Sequence, residues 1–184
     1  TRKAAELAMD ANICFNIAGG THHAFLDRGE GFCLLNDQVI AADWLIKQKK
    51  VNKILILDLD VHQGNGTASL CSNRDIIFTF SMHGKNNYPL RKESSDIDIE
   101  LEDATKDAKY LYQLKQGLED IVKCFEPEFI FYQAGVDVLE SDKLGRLSLS
   151  LEGCKERDAT VFDFSKQLDV PIVTTMAVSY THLT

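Results

Sequence analysis

Ile54-Leu55-Ile56-Leu57-Asp58-Leu59-Asp60-Val61-His62-Gln63-Gly64-Asn65-Gly66 is an apolar run that ends in acids, a histidine and two glycines. A continuous run of large aliphatics bounded by turn residues reads as a strand buried on both faces, as in the interior of a parallel sheet. Asp58, Asp60 and His62 succeed one another at a spacing of two, so an extended chain would point all three to one side of the sheet. Two carboxylates and an imidazole gathered at the end of a buried strand repel, desolvate or bind a cation, and metal binding is the outcome that stabilises them. Asp-x-His offers an oxygen and a nitrogen ligand. A third ligand from elsewhere would leave one tetrahedral position for water, as catalytic zinc requires. The plainer reading of the same residues is a strand end whose acids cap the next helix.

Upstream, helical composition to about Ala18 ends at Gly19-Gly20, whose backbone freedom can bring the next residues close to a ligand. Those residues are Thr21-His22-His23-Ala24-Phe25; adjacent histidines on a loop are either solvated or part of a site. A glycine-rich turn, Asp27 to Phe32, leads to Asn36, a plausible N-cap for a helix carrying Val39, Ile40, Trp44 and Leu45. Lys47 to Lys50 complements the end of that helix.

Downstream, a short helix through Ala68 to Cys71 precedes a second buried strand, Ile76 to Phe80, which ends at Ser81-Met82-His83-Gly84. Asp96 to Glu102 alternates acid with aliphatic, the mark of a half-exposed strand: a charged edge, or an acidic rim for a cationic substrate. From Thr105 to Phe125 apolar residues trace one helical face, and Pro127 stops the helix. Phe129 to Tyr132 is a third buried strand, with Asp137 just beyond it. A helix over about Leu151 to Leu168 and a strand over Pro171 to Thr175 complete the pattern. Strand and helix alternate, which implies an α/β fold with a mainly parallel sheet. In such sheets ligands bind beyond the carboxyl ends of the strands, where every candidate residue falls.

A length of 184 residues suits one domain, and 45% hydrophobic with 26% charged residues is a globular composition. The net charge of −8 argues against direct nucleic-acid binding. Five scattered cysteines without a C-x-x-C pair fit a reducing compartment, and no apolar run is long enough to cross a bilayer, so cytoplasm is the expected location. The chain begins at Thr1 in what reads as mid-helix, so a fragment is expected.

Taken together, His22-His23, Asp58-x-Asp60-x-His62 and Ala134-Gly135-Val136-Asp137 resemble the zinc-dependent histone deacetylase family, which includes acetylpolyamine and acetoin-utilisation deacetylases. Gly31-Phe32-Cys33, His62-Gln63-Gly64-Asn65-Gly66 and Asp137 to Gly145 look most like the class IV branch and its bacterial relatives. The resemblance implies a three-layer arginase/deacetylase-type fold. It implies that Asp60, His62 and Asp137 hold zinc, with ferrous iron as the alternative metal. Phe32, with Gly31 and Gly135, would line a tunnel for an acylated lysine or a related acylated amine. His23 would act as general base and then as acid to the leaving amine. His22 would assist electrostatically, oriented by Asp58. Asn65 stands where many relatives carry an aspartate, so the pKa of His23 is expected to differ from theirs. A structural potassium site would use main-chain oxygens of Asp58, Asp60 and His62, with Ser81 and Met82 nearby.

Two departures from the family pattern are visible. The family's oxyanion-binding tyrosine comes after a glycine-rich turn beyond the last strand; Tyr180 falls at a suitable distance, without the glycines. Residues 177–184 are read as a foreign tail, in which case Tyr180 and His182 carry no role, and residues 1–176 as a partial catalytic domain. The second departure is the missing N-terminal portion, with part of the substrate rim, which implies truncation at the front as well. The expected function is hydrolysis of an acyl amide. The alternatives are an inactive fragment or pseudoenzyme that binds metal or acyl-lysine, and an arginase-like two-metal hydrolase, which would need further carboxylates around Asp58 and Asp60.

Overall fold

The apolar run forms a fully buried strand, and its alternating side chains explain why it carries no polar face. A computed structural model describes residues 1–177. The elements in chain order are α1 (Arg2–Ala11), β1 (Ile13–Asn16), α2 (Asp37–Lys47), β2 (Ile54–Asp58), α3 (Asn65–Cys71), β3 (Ile77–Gly84), β4 (Ile97–Leu101), α4 (Asp107–Cys124), β5 (Phe129–Gln133), α5 (Leu151–Leu168) and β6 (Ile172–Thr175). Leu55 and Leu57 of β2 pack with Tyr110, Leu114 and Ile121 of α4 and with Val161 and Phe164 of α5. Ile54 and Ile56 pack on the other face with Ala5 and Ala8 of α1 and Val39, Ala42 and Leu45 of α2. A strand with helices on both faces must be apolar at every position, and the result is a three-layer α/β/α arrangement.

The sheet has six strands in the order β1-β6-β5-β2-β3-β4, all paired in parallel. From β2 the chain moves outward to β3 and β4, then returns through α4 to β5 on the other side of β2. The strand order therefore reverses between β2 and β5, where Asp58 is in register with Gln133. A reversal of this kind opens a crevice at the carboxyl ends of the two strands.

Local chemistry sets the helix ends. Asn36 caps α2 by accepting from the Val39 amide at 3.2 Å, and Ser150 caps α5 by accepting from the Gly153 amide at 3.0 Å. α5 occupies the expected span, and β4 is a half-exposed edge strand as its alternation implied. No helix among the described residues is long and apolar enough to cross a membrane.

The structure corrects three local expectations. The first helix stops at Ala11, where Asn12 takes a positive φ (63°), and Ile13-Cys14-Phe15-Asn16 becomes β1, paired with β6. Short β-formers after a helix stop favour a strand where a neighbouring edge is available. The second strand runs on to Gly84: its first half pairs with β2 and its second with β4, so Ser81 and Met82 lie inside it. β2 ends at Asp58, so the period of two does not carry Asp60 and His62. Instead Asp58 Oδ1 accepts from the Asp60 amide at 3.1 Å, and Asp60 Oδ1 from the His62 amide at 2.9 Å. These two successive side-chain turns bend the chain across the strand end.

Candidate active site

The side chains at the crevice are delivered by the ends of three strands, β1, β2 and β5. The loop after β1 carries His22 and His23. It is pinned by Asp37, which accepts from the amides of Gly20 and Thr21 at 3.0 and 2.8 Å, and by Gln133, whose Nε2 donates to the Gly20 carbonyl at 2.6 Å. Gln133 ends β5, so the histidine loop is tied to the strand that leads to Asp137. The bent segment after β2 supplies Asp60 and His62, and the segment after β5 supplies Asp137.

Asp60, His62 and Asp137 converge, with one ligand atom from each lying within 4.8 Å of the others. His62 Nδ1 is 3.0 Å from both Asp60 Oδ1 and Asp137 Oδ2. Among the described residues this is the sole cluster of three or more acids, histidines or cysteines able to hold a metal ion. Two carboxylates and one imidazole match the donor set of a catalytic zinc or ferrous site, and their convergence on a cavity leaves room for exchangeable ligands. The residues present therefore fit a divalent ion.

Burial and neighbouring charges set the protonation of the cluster. Burial disfavours a charged His62, but the carboxylates of Asp137 and Asp60 override it and push its pKa up to about 10. His22 obeys the same logic: burial opposes its charge, Asp58 and Asp60 outweigh burial, and its pKa rises to about 9. Its Nδ1 lies 2.6 Å from Asp58 Oδ2. Asp60 is also buried, yet the His22 charge and the hydrogen bond from His62 hold its carboxyl well below the usual range. Asp137 is pushed up, first by burial and then by the charge of Asp60. Protons on two histidines thus balance the buried acids.

His23 is different. Burial, reinforced by the charge of His22, pushes its pKa down to about 3, so the ring is neutral. Its Nδ1 is 2.7 Å from Asn65 Oδ1, and its ring centroid is 4.1 Å from that of His22. The amide at position 65 gives His23 a hydrogen bond without a counter-charge.

A cavity of about 560 Å³ opens over these groups, with His22, His23, Asp60, His62 and Asp137 on its lining and Gly31, Phe32, Tyr88 and Leu144 among its other residues. Gly31 has a φ of 52°, and a Cβ there would lie 2.5 Å from His23 Cδ2, so only glycine allows the turn to cross the imidazole this closely. Gly135 is buried behind Asp60 rather than on the cavity lining; a Cβ there would lie 2.7 Å from Asp60 Cγ. Ser81 sits beside Asp58 in the sheet register, with its Oγ 2.9 Å from His83 Nδ1, and Met82 runs next to it into the core. Tyr180 and His182 lie outside the described residues, as does all of the expected foreign tail except Ala177.

Three residues at or beneath the site carried no local signal. Tyr88 stands edge-on to His23, ring centroids 5.0 Å apart. Glu30 was one acid in a glycine-rich turn. Arg157 is fully buried although it lies in an ordinary amphipathic helix. A single charged position within a helical repeat gives no sign of which backbone carbonyls it will meet.

The strand order, the convergent Asp-His-Asp cluster and the paired histidines define a parallel α/β scaffold with a possible metal site at its strand ends. Likeness to known proteins specifies the family. The histone deacetylase domain family matches residues 1–182, and the chain belongs to it. It is 40% identical over 176 residues to an uncharacterized protein of Picosynechococcus sp., covering 96% of this chain and 59% of that protein. It is 33% identical over 173 residues to histone deacetylase 2 of Arabidopsis thaliana, covering 92% of this chain and 45% of the relative. The crystal structure of a histone deacetylase homolog from Aquifex aeolicus superposes with a TM-score of 0.84 at 26% identity, covering 96% of this chain and 50% of that one. The chain thus spans about half the length of these relatives.

Proposed function

We propose that this chain carries the metal and histidine centre of a zinc-dependent deacylase that hydrolyses an acyl amide on lysine or on a related acylated amine. The observation that carries this reading is the convergence of Asp60, His62 and Asp137 beside a neutral His23 and a charged His22 on one cavity. Family membership supports acyl-amide hydrolysis, and the apolar Phe32, Tyr88 and Leu144 beside the cavity suit the stem of an acyl-lysine. A zinc ion held by the three ligands supplies a Lewis acid for the acyl carbonyl and makes water nucleophilic near neutral pH.

The chain's own residues handle the protons. With Nδ1 directed to Asn65, His23 presents Nε2 as the nitrogen that takes a proton from the attacking water. The C–N bond then breaks, the same proton passes from Nε2 to the leaving amine, and a carboxylic acid and a free amine result. His22, held charged by Asp58, stays protonated and lowers the cost of negative charge developing on the acyl oxygen. Its charge also keeps His23 neutral between turnovers.

A two-metal arginase-like site is not favoured, because Asp58 is engaged by His22 and position 65 carries an amide. The reading of a chain that binds without turnover draws on its span of about half its relatives' length. One experiment separates these outcomes: metal content of the purified chain, of Asp60→Ala and of His62→Ala, with release from acetyl-lysine, fatty-acyl-lysine and acetylpolyamine measured on the same samples. One zinc per chain, lost in both variants and accompanied by acyl release, is expected. Metal without release supports the binding-only reading, two metals per chain the arginase-like one, and a folded chain that takes up no metal ends the deacylase reading.

A further inference from the structure

We propose that Glu30 is a positioning residue that sets the tautomer of His23 through the side-chain amide of Asn65. The inference rests on the reading of His23 as the proton carrier, and it concerns a group that is not one of the three metal ligands.

A neutral imidazole can serve as a base at Nε2 only if its proton sits on Nδ1. An aspartate facing Nδ1 would secure that state in either orientation, because both of its oxygens only accept. Asn65 has no such symmetry. With Oδ1 toward His23 the ring is protonated on Nδ1; with Nδ2 toward His23 the ring nitrogen must accept, and the proton moves to Nε2. The two ends of the amide have nearly the same size, so packing does not choose between them. The choice falls to whatever meets the other end.

That end meets Glu30 together with the Tyr88 hydroxyl, whose own proton goes to Glu30. Asn65 Nδ2 donates to Glu30 Oε1 at 3.3 Å while Asn65 Oδ1 faces His23 Nδ1 at 2.7 Å. A carboxylate only accepts, so the end of the amide that faces it must be the NH2 group. Turning the amide over would set oxygen against oxygen and forfeit a charge-assisted hydrogen bond. Glu30 is itself held from two further sides. Its Oε1 accepts from the Tyr88 hydroxyl, and its Oε2 accepts from Arg28 Nε at 3.3 Å. Its backbone is fixed by reciprocal bonds with Cys33, of 3.0 and 2.8 Å, across the turn that carries Gly31 and Phe32. Tyr88, which grips Glu30 through its hydroxyl, packs its ring against His23. One turn thus places an apolar side chain at the cavity and fixes the proton on the base beneath it.

The test is the tautomer itself, read from ring-nitrogen chemical shifts and couplings of the 15N-histidine-labelled 184-residue chain. Wild type is expected to show His23 protonated on Nδ1. Glu30→Gln keeps an acceptor and is expected to preserve that state. Glu30→Lys presents a donor instead, which turns the amide over and moves the His23 proton to Nε2. Glu30→Lys combined with Asn65→Asp restores the Nδ1 proton, because aspartate accepts from both neighbours. Should the lysine variant fail to fold, Glu30→Ala is expected to give a mixture of the two tautomers. Acyl-lysine turnover keeps the same order: within about threefold of wild type for Gln, down about a hundredfold in kcat with little change in KM for Lys, and recovered in the double variant. A His23 that keeps its Nδ1 proton in the lysine or alanine variant overturns the proposal. The expected tautomers in chains that release no acyl group uphold the positioning and overturn the functional reading instead.

Discussion

Nη1 of Arg157 donates to the carbonyl oxygen of Gly135 at 2.6 Å, from a side chain with no solvent exposure. The same nitrogen lies 3.4 Å from the carbonyl of Leu59. Gly135 precedes Asp137 by two residues and Leu59 precedes Asp60, so a guanidinium from α5 ties together the two segments that bear the carboxylate ligands. Its other side is balanced by Asp158, whose Oδ1 is 2.8 Å from Nε. Replacing Arg157 with leucine leaves both carbonyls without this donor and removes the counter-charge of Asp158, which keeps the Tyr132 hydroxyl at 2.5 Å. A loss of about 2–4 kcal/mol in unfolding free energy is expected, together with weaker metal binding. Chemical denaturation with and without zinc would show it, and an unchanged midpoint in both conditions would sink this account of Arg157.

Metal uptake should release protons. His62 is held protonated up to about 10 in the metal-free chain, and it must lose that proton to become a ligand. Apparent zinc affinity is therefore expected to rise with pH from about 6 to 9. Calorimetry in two buffers of different ionisation heat gives the number released; about one or more per zinc is expected, and none would contradict the charge assignment.

The stability of the metal-free chain should fall on the alkaline side. The folded-state pKa of His22 is raised from its ordinary 6.5 to about 9 by Asp58 and Asp60 acting against burial. A raised pKa contributes stability that is fully present below 6.5 and is lost as the pH climbs through about 9. Asp58→Asn removes the main counter-charge and is expected to flatten this profile and lower the His22 pKa. Urea midpoints from about pH 6 to about pH 10 test it; parallel profiles for the two proteins would count against the His22–Asp58 pair as their source.

Two glycines should fail differently. Gly31→Ala forces a Cβ against His23 from a turn with φ of 52°, so turnover is expected to drop about a hundredfold with zinc still bound. Gly135→Ala forces a Cβ against Asp60, so zinc binding is expected to weaken first. Metal content and kcat measured side by side distinguish them. Equal loss of metal in both would mean that the turn at Gly31 supports the ligands rather than the base.

Part of the molecule was legible in the order of residues alone. The apolar run Ile54 to Leu57 fixed a strand buried on both faces, because no single-sided strand tolerates four consecutive large aliphatics. The cap at Asn36, the α5 span and the acids placed just after strands all depend on neighbours within a few residues, and they were readable for that reason. Asp60 with His62 was visible as a pair, although through a wrong cause: two side-chain turns bring them together, and pleat alternation does not.

What the tertiary structure alone decided are relations between distant residues. β1 became a strand because β6 offered it an edge, a fact absent from Ile13 to Asn16. Asp137 met Asp60 because the strand order reverses between β2 and β5, which no local pattern encodes. Glu30, Tyr88 and Arg157 gained their parts from partners 22 to 98 residues away. Local propensity and periodicity act over one or two turns of chain, whereas the hydrogen bonds and charges of the site act across a crevice that exists only once the sheet has formed.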